Sequence, residues 1–208
     1  MVEDLNKLSS IQLDALCETA NIGAGHTATA LAALLNTKIE MSVPRARILP
    51  FTEVSALMGG AETHVVAIYF HVSGPVPVSI LLVMTIDKAR QLVEMLLGKP
   101  CEMPVSGSFT DLEFSAMMEL GNILSSTYLN ALATFINISF QPSVPALAVD
   151  MAGAILNAIL AQYGDVADQV LVLEAGFKKE DMDVVGNLFL LPGPGALEMI
   201  LSSLGVNI

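Results

Sequence analysis

The sequence predicts an internally duplicated, mixed α/β (α+β) domain with approximate two-fold symmetry and two long helices. The main observation is a repeat of four residues at a constant offset of 101 positions, in which Asp14, Glu18, Asn21 and Pro44 are matched by Ser115, Glu119, Asn122 and Pro145. In each half, segments with helical periodicity alternate with short runs rich in β-branched residues. The chain is therefore two copies of one unit.

Composition limits the fold and the classes of partner. With 208 residues and 53% apolar content, the repeats at 10–100 and 108–208 can together form one compact pseudo-symmetric domain. The net charge of −12 repels nucleic-acid phosphates and anionic lipids, so we expect neither nucleic acid nor a membrane as partner. No basic region precedes an apolar stretch in the first ten residues, which predicts no secretion signal and a cytoplasmic location.

The first element of each half is predicted to be a long helix, over about 10–35 and about 111–136. Plausible N-caps are Ser9 or Ser10 in the first copy and Ser108 or Thr110 in the second, and Asn36 and Asn137 stand near the helix ends. Positions i, i+4 and i+7 of a helix lie within roughly 60° of one another, so Asp14, Glu18 and Asn21 share one polar stripe. A separate arc of apolar residues predicts a buried face that includes the free thiol of Cys17; its members are Leu13, Leu16, Cys17, Ala20 and Ala24, then Phe114, Met117, Met118 and Gly121.

Short strands or extended turns at 38–43 and 138–144 follow the helices and end at the two prolines. Because proline lacks an N–H, each proline marks a strand end or an edge position. After the segment 51–59, the uncharged stretch 63–85 is long enough to span a bilayer, but Gly74, Pro75 and Pro77 interrupt it. It therefore predicts a buried hairpin with strands at 65–72 and 77–84, followed by a helix at 87–97.

The second half has the same predicted order. A linker at 98–107 leads to it, and the strand that ends at Pro145 precedes an alanine-rich helix near 150–162. Strands at 169–174 and 187–191 flank a polar run at 178–181, which predicts a solvated turn, and the last helix covers 195–204.

The Glu and Asn of each stripe are the candidate catalytic groups. A single such pair is most simply the wet face of a surface helix, but its duplication favours a function. A carboxylate can hold a cation and a carboxamide can orient a water, whereas neither is a strong nucleophile. The pair therefore suits hydrolysis in which the substrate brings its own metal and electrophile. The spacing of His26, His64 and His71 is not that of metal ligands, so no metal site is predicted.

Both copies satisfy the pattern [Asp/Ser]-x3-Glu-x2-Asn-x22-Pro without a gap, and in this they resemble the CheC, CheX and FliY family of bacterial chemotaxis phosphatases. The resemblance implies hydrolysis of the aspartyl phosphate of the response regulator CheY. It assigns water orientation to Asn21 and Asn122, pairing with a receiver lysine to Glu18 and Glu119, and supporting roles to the other motif positions: Asp14, Ser115, Pro44 and Pro145. It implies no cofactor of the chain's own, since Mg²⁺ comes with the receiver.

The resemblance also implies binding of the receptor deamidase CheD through residues 147–162, with Asp150 as a contact. Plain core packing of this helix, with Asp150 as a helix cap, is the alternative. The rival to the enzyme is a non-catalytic docking or adaptor module of the chemotaxis or flagellar switch system. Because the residues after the two asparagines differ, 23–26 being GAGH and 124–127 being LSST, the two sites need not be equivalent.

Overall fold

Two 26-residue helices, α1 (Ser10–Leu35) and α4 (Asp111–Ile136), begin the two halves of the chain in the computed structural model. The structure describes residues 8–73, 77–102, 108–136, 140–163, 169–179, 182–193 and 195–206. Both helices have the bounds that the sequence predicts.

Reciprocal capping contacts fix the start of each long helix. The Ser9 hydroxyl accepts a hydrogen bond from the Gln12 N–H, and the Gln12 side chain accepts one from the Ser9 N–H at 2.7 Å. Thr110 and Glu113 make the same pair of contacts in the second copy. Ser9 and Thr110 are thus the caps among the predicted alternatives, and each forms a capping box. Asn36 ends α1 in a left-handed conformation, whereas Asn137 lies outside the described residues.

The remaining elements follow in the same order in the two halves. The first half continues with β1 (Glu40–Pro50), α2 (Phe51–Val54), a 3₁₀ helix (Ser55–Met58), β2 (His64–Ser73), β3 (Val78–Thr85) and α3 (Ile86–Leu97). The second half continues with β4 (Gln141–Pro142), β5 (Ala146–Met151), α5 (Ala152–Tyr163), β6 (Gln169–Lys179), β7 (Met182–Pro192) and α6 (Ala196–Ser203).

Within the described residues, the strands form one seven-stranded antiparallel sheet in which the two halves are interleaved. Its order is β1-β6-β7-β3-β2, and β4 and β5 both pair with the far side of β2. The strands that follow the long helix of each half therefore pair with a strand of the other half, β1 with β6, and β4 and β5 with β2. The central pair, β3 with β7, joins the halves again. This symmetric arrangement confirms the predicted duplicated, mixed α/β fold.

Helices cover both faces of the sheet. A hydrophobic core lies on each face, and alternate residues of β2 belong to different cores. Val66, Ile68 and Phe70 pack with α1, α3, α4 and α6. Val65 and Ala67 pack with α5 and the 3₁₀ helix. The hairpin of β2 and β3 is buried, as predicted. Among the described residues, no helix combines the length and the apolar character needed to cross a membrane.

The strands beside the motif prolines differ from the prediction. Instead of ending at Pro44, β1 continues to Pro50, with a register irregularity between Ser42 and Arg45. Since β1 is an edge strand, the missing N–H of Pro44 is tolerated there. Of the two predicted roles for this proline, a strand end or an edge position, the edge position is correct. In the second copy, 138–139 lie outside the described residues, only Gln141–Pro142 form a strand, and β5 starts after Pro145.

The predicted helix near 150–162 begins later than expected. Residues through Met151 belong to β5, because their alternating burial and their pairing with β2 extend the sheet. Asp150 is thus an exposed strand residue, not a helix cap, and its Oδ1 accepts a hydrogen bond from the Met151 N–H. Strands β6 and β7 are also longer than predicted, because Lys178 pairs with Asp183 beyond the expected ends. Positions 180–181 of the predicted turn, and 103–107 of the predicted linker, lie outside the described residues.

Candidate active sites on the two motif helices

The two polar stripes lie on the solvent side of α1 and α4. Asp14, Glu18, Ser115, Glu119 and Asn122 are exposed, whereas Asn21 is half-buried. The helices pack against each other on a different face, where the hydroxyls of Thr27 and Thr127 are 2.6 Å apart. Each helix therefore presents its own stripe.

The predicted buried arc is correct only in part. Leu16, Ala20, Ala24, Met117 and Gly121 are buried as expected, but Leu13, Cys17 and Met118 are half-buried. Phe114, predicted to be core, is 45% exposed. It lies in the first turn of α4.

In the first copy, the asparagine is bound to the neighbouring strand. Asn21 Nδ2 donates to the carbonyl oxygen of Val43 at 3.0 Å, and the N–H of Val43 donates to Asn21 Oδ1 at 2.7 Å. Val43 is fully buried and directly precedes Pro44. Because both ends of the carboxamide are held by one residue, its plane is fixed against β1. The 22-residue gap of the motif is thus the chain length that brings β1 back to Asn21.

Cys17 strengthens this contact. Its thiol donates to the same Val43 carbonyl at 3.0 Å, one helical turn before Asn21. Burial raises the pKa of the thiol, and the charges of Asp14 and Glu18 raise it further. The thiol therefore stays protonated at neutral pH and remains a hydrogen-bond donor.

In the second copy, the asparagine faces solvent. Asn122 Nδ2 donates to Glu119 Oε2 at 3.4 Å, and among the described residues its Oδ1 has no protein partner. Val144, the counterpart of buried Val43, is 79% exposed. Here Pro145, directly before β5, packs against the helix: a Cβ on Gly121 would be 2.9 Å from both Pro145 Cβ and Ile68 Cγ2. Gly121 therefore permits the close approach of Pro145 beside Asn122.

The sequence predicts that the polar residues of each copy share one helix face and that the two sites need not be equivalent, but it does not show how the two sites differ. The residue it missed is Val43, the partner of Asn21. A signal was present, since Val43 and Val144 are identical repeat positions directly before the prolines. The pattern could not show that one valine is buried and the other exposed.

The second stripe can receive a charged substrate and hold a water. Glu119 and Asn122 offer a carboxylate, an amide donor and an amide oxygen that is unpaired among the residues the structure describes, all on one exposed surface. Within the described ranges, no group of three or more His, Cys, Asp or Glu side chains is arranged to hold a metal ion.

Comparison with known proteins identifies the same two regions. The sequence profile of the CheC-like family matches residues 11–48 and 112–149, which contain the two motifs from helix to proline.

Two curated proteins of Bacillus subtilis are similar in sequence. The CheY-P phosphatase CheC is 34% identical over 206 residues, covering 98% of both chains. The flagellar motor switch phosphatase FliY is 26% identical over 144 residues, covering 69% of this chain and 37% of its own length. In fold, the crystal structure of FliY from Thermotoga maritima superposes with a TM-score of 0.74 at 17% identity, covering 96% of this chain and 98% of the other.

Proposed function

This chain belongs to the CheC-like family, and we propose that it hydrolyses the aspartyl phosphate of a phosphorylated CheY-type response regulator. The full-length similarity to a CheY-P phosphatase supports this substrate. The observation that carries the proposal is the exposed pair of Glu119 and Asn122, in which the amide oxygen has no partner within the described part of the chain and can hold a water.

In the proposed reaction, α4 lies beside the phosphorylated aspartate of the receiver. Asn122 orients a water in line with the bond between phosphorus and the aspartate oxygen. The water oxygen bonds to phosphorus, the aspartate carboxylate leaves with the electron pair of the broken bond, and the proton of the water is released with inorganic phosphate. Glu119 pairs with a receiver lysine and also holds the amide of Asn122. Mg²⁺, supplied with the receiver, offsets the charge that develops on the phosphoryl oxygens.

The first copy suits docking better than hydrolysis. Since both ends of the Asn21 carboxamide are bound to Val43, it is aimed at β1 and not at solvent. We therefore assign hydrolysis mainly to the second motif, and recognition of a receiver to Asp14 and Glu18 of the first. This keeps the docking role as the second candidate function, confined to α1.

The test is the decay rate of phosphorylated CheY with Mg²⁺, alone and with this protein. Alanine variants of the pairs Glu18/Asn21 and Glu119/Asn122, and of all four residues, are compared with the wild type. Loss of a positioning group can cost on the order of 10²-fold, and we expect that loss in the second pair and a much smaller one in the first.

Other outcomes of this experiment contradict the proposal at different points. Equal losses in the two pairs would mean that Asn21 is released from Val43 and that both motifs hydrolyse. No acceleration by the wild type, with or without CheD, would exclude the phosphatase and leave the docking module.

The proposed substrate requires a cytoplasmic location for this chain.

Binding of CheD is a separate part of the proposal. The apolar residues Ile155, Leu156 and Ile159 of α5 are buried, so a partner would meet the exposed Asp150 and Met151 before the helix. Substitution Asp150→Ala should then weaken CheD binding without changing CheY-P hydrolysis in the absence of CheD. Unchanged CheD binding would remove Asp150 from this role.

A further inference from the structure

A large aliphatic side chain precedes each polar stripe at the same repeat position. Ile11 and Leu112 are 101 residues apart, and each lies three residues before the first polar position of its motif. They are 67% and 53% exposed. On a helix, residues separated by 3, 7 and 10 positions fall within an arc of about 80°, so each aliphatic residue shares the face of its Glu and Asn. Single exposed apolar residues are common on protein surfaces, but here an exposed aliphatic side chain occupies the same repeat position in both copies.

The second motif has an additional exposed apolar residue on another side. Val144 is 79% exposed and adjoins Pro145, which packs against Gly121, the neighbour of Asn122. Its counterpart Val43 is fully buried under Asn21. Among the described residues, exposed apolar side chains therefore flank the polar stripe of the second copy both at the start of α4 and directly before Pro145, whereas in the first copy Ile11 alone does so.

We propose that Leu112 and Val144 are apolar anchors through which the second motif face binds the receiver domain of the response regulator. The inference rests on the proposed function, because the receiver must place its aspartyl phosphate beside Asn122. A helix rises about 1.5 Å per residue, so Leu112 lies about 15 Å from Asn122 along α4. A typical interface covers about 800 Å² on each partner, which is roughly 30 Å across. A receiver centred on the stripe therefore also covers Leu112 and Val144.

Anchors of this kind change binding more than chemistry. Buried aliphatic contacts at an interface exclude water from the polar groups that they surround and contribute equally to substrate and transition state. Their truncation should raise KM while leaving kcat nearly unchanged. This separates them from Glu119 and Asn122, whose loss should lower kcat.

The experiment compares Leu112→Ala, Val144→Ala and the double variant in two measurements. The first is the KM and kcat of CheY-P hydrolysis, and the second is calorimetric binding to CheY carrying beryllofluoride, which imitates the phosphoryl group and is not hydrolysed. For the double variant we expect KM and the dissociation constant at this site to rise about tenfold, with kcat within about twofold of the wild type. Thermal unfolding should not change, since both side chains are exposed.

Two matched controls come from the chain itself. Ile11→Ala removes the corresponding residue of the first copy, and Leu34→Ala removes a side chain of α1 that is 57% exposed and lies off the stripe. Leu34→Ala should alter neither receiver binding nor KM, whereas Ile11→Ala should weaken receiver binding at the first motif alone and leave the KM of hydrolysis at the second motif unchanged.

Each contrary result has a distinct meaning. Binding of the beryllofluoride complex that is unchanged in the double variant would overturn the anchors, whether or not the wild type hydrolyses CheY-P. A wild type that binds but does not hydrolyse would overturn only the proposed phosphatase, with weakened binding of the variant still supporting the anchors. If the double variant instead sediments as a smaller species than the wild type, the two residues contact a second copy of this chain, and the receiver assignment is wrong.

Discussion

Two asparagines at the same motif position have different partners in this molecule. Asn21 satisfies the N–H and the carbonyl of a buried residue, whereas the hydrogen-bond partner of Asn122 among the described residues is another exposed side chain of its own helix. A side chain that forms hydrogen bonds with buried backbone groups stabilises the fold, because its removal leaves those groups unpaired. One motif position therefore stabilises the first copy and is available for chemistry in the second.

Alanine at Asn21 should mainly lower stability, whereas alanine at Asn122 should mainly lower the rate of hydrolysis. Asn21→Ala leaves the buried N–H of Val43 without its partner, so we expect the free energy of unfolding to fall by about 1–3 kcal/mol. Asn122→Ala should change it by no more than about 0.5 kcal/mol, as for other exposed positions, while hydrolysis falls sharply. Urea unfolding of both variants measures the difference. Equal stability of the two would show that the contact with Val43 does not persist in solution.

The motif spacing was enough to predict which residues share a face, because that follows from helix geometry alone. It did not predict the role of Asn21, since that depends on a strand returning from 22 residues later. The exposure of Phe114 was missed for a related reason. Helical periodicity gives the direction of a side chain but not whether another element lies opposite it.

At the level of elements, the capping boxes explain why the long helices were predictable and other boundaries were not. Caps are local signals, and Ser9 and Thr110 act on residues three positions away. The end of β1 and the start of α5 depend instead on pairing with β6 and β2, which no local pattern records. Prediction thus succeeded where neighbouring residues determine an element and failed where distant ones do.

The cap of α4 also holds the preceding segment. The buried carboxylate of Glu113 accepts hydrogen bonds from the N–H groups of Thr110 and Glu102 and from the thiol of Cys101. Burial alone would raise the pKa of this carboxyl, but these hydrogen bonds outweigh it and lower the pKa from 4.5 to about 2. Gln12 occupies the same position in the uncharged cap of α1.

The lowered pKa of Glu113 predicts how stability depends on pH. The charged form is favoured in the folded state, so its contribution is complete above the unfolded pKa of 4.5 and is lost as pH falls toward about 2. The shift corresponds to about 3 kcal/mol as an upper figure. In Glu113→Gln, the free energy of unfolding at pH 7 should fall and its decline between pH 4.5 and 2 should be smaller than in the wild type. An unchanged pH profile would show that Glu113 is not charged in this cap.

On the scale of the whole molecule, the interleaved strands make each half dependent on the other. Residues 1–102 alone would lack β6 beside β1 and would leave β2 without β5. Because the two halves have the same order of elements, a second copy of the same half offers counterparts of the missing strands.

We therefore expect the fragment 1–102 to form a symmetric dimer or to remain unfolded, since its unpaired strand edges favour association. Sedimentation and circular dichroism distinguish these states. Mixing it with the fragment 103–208 should restore a one-to-one complex. A folded monomer of either fragment would contradict the dependence of one half on the other.

The same strand exchange has a consequence for synthesis on the ribosome. When the first half emerges, β1 and β2 lack their partners β6 and β5. Glu40 of β1 pairs with Lys178, which is synthesised near the end of translation. Long-range pairing of this kind slows folding and leaves strands exposed to wrong partners in the meantime. We expect this protein to be most prone to aggregation, and most dependent on chaperones, while only its first half has been synthesised.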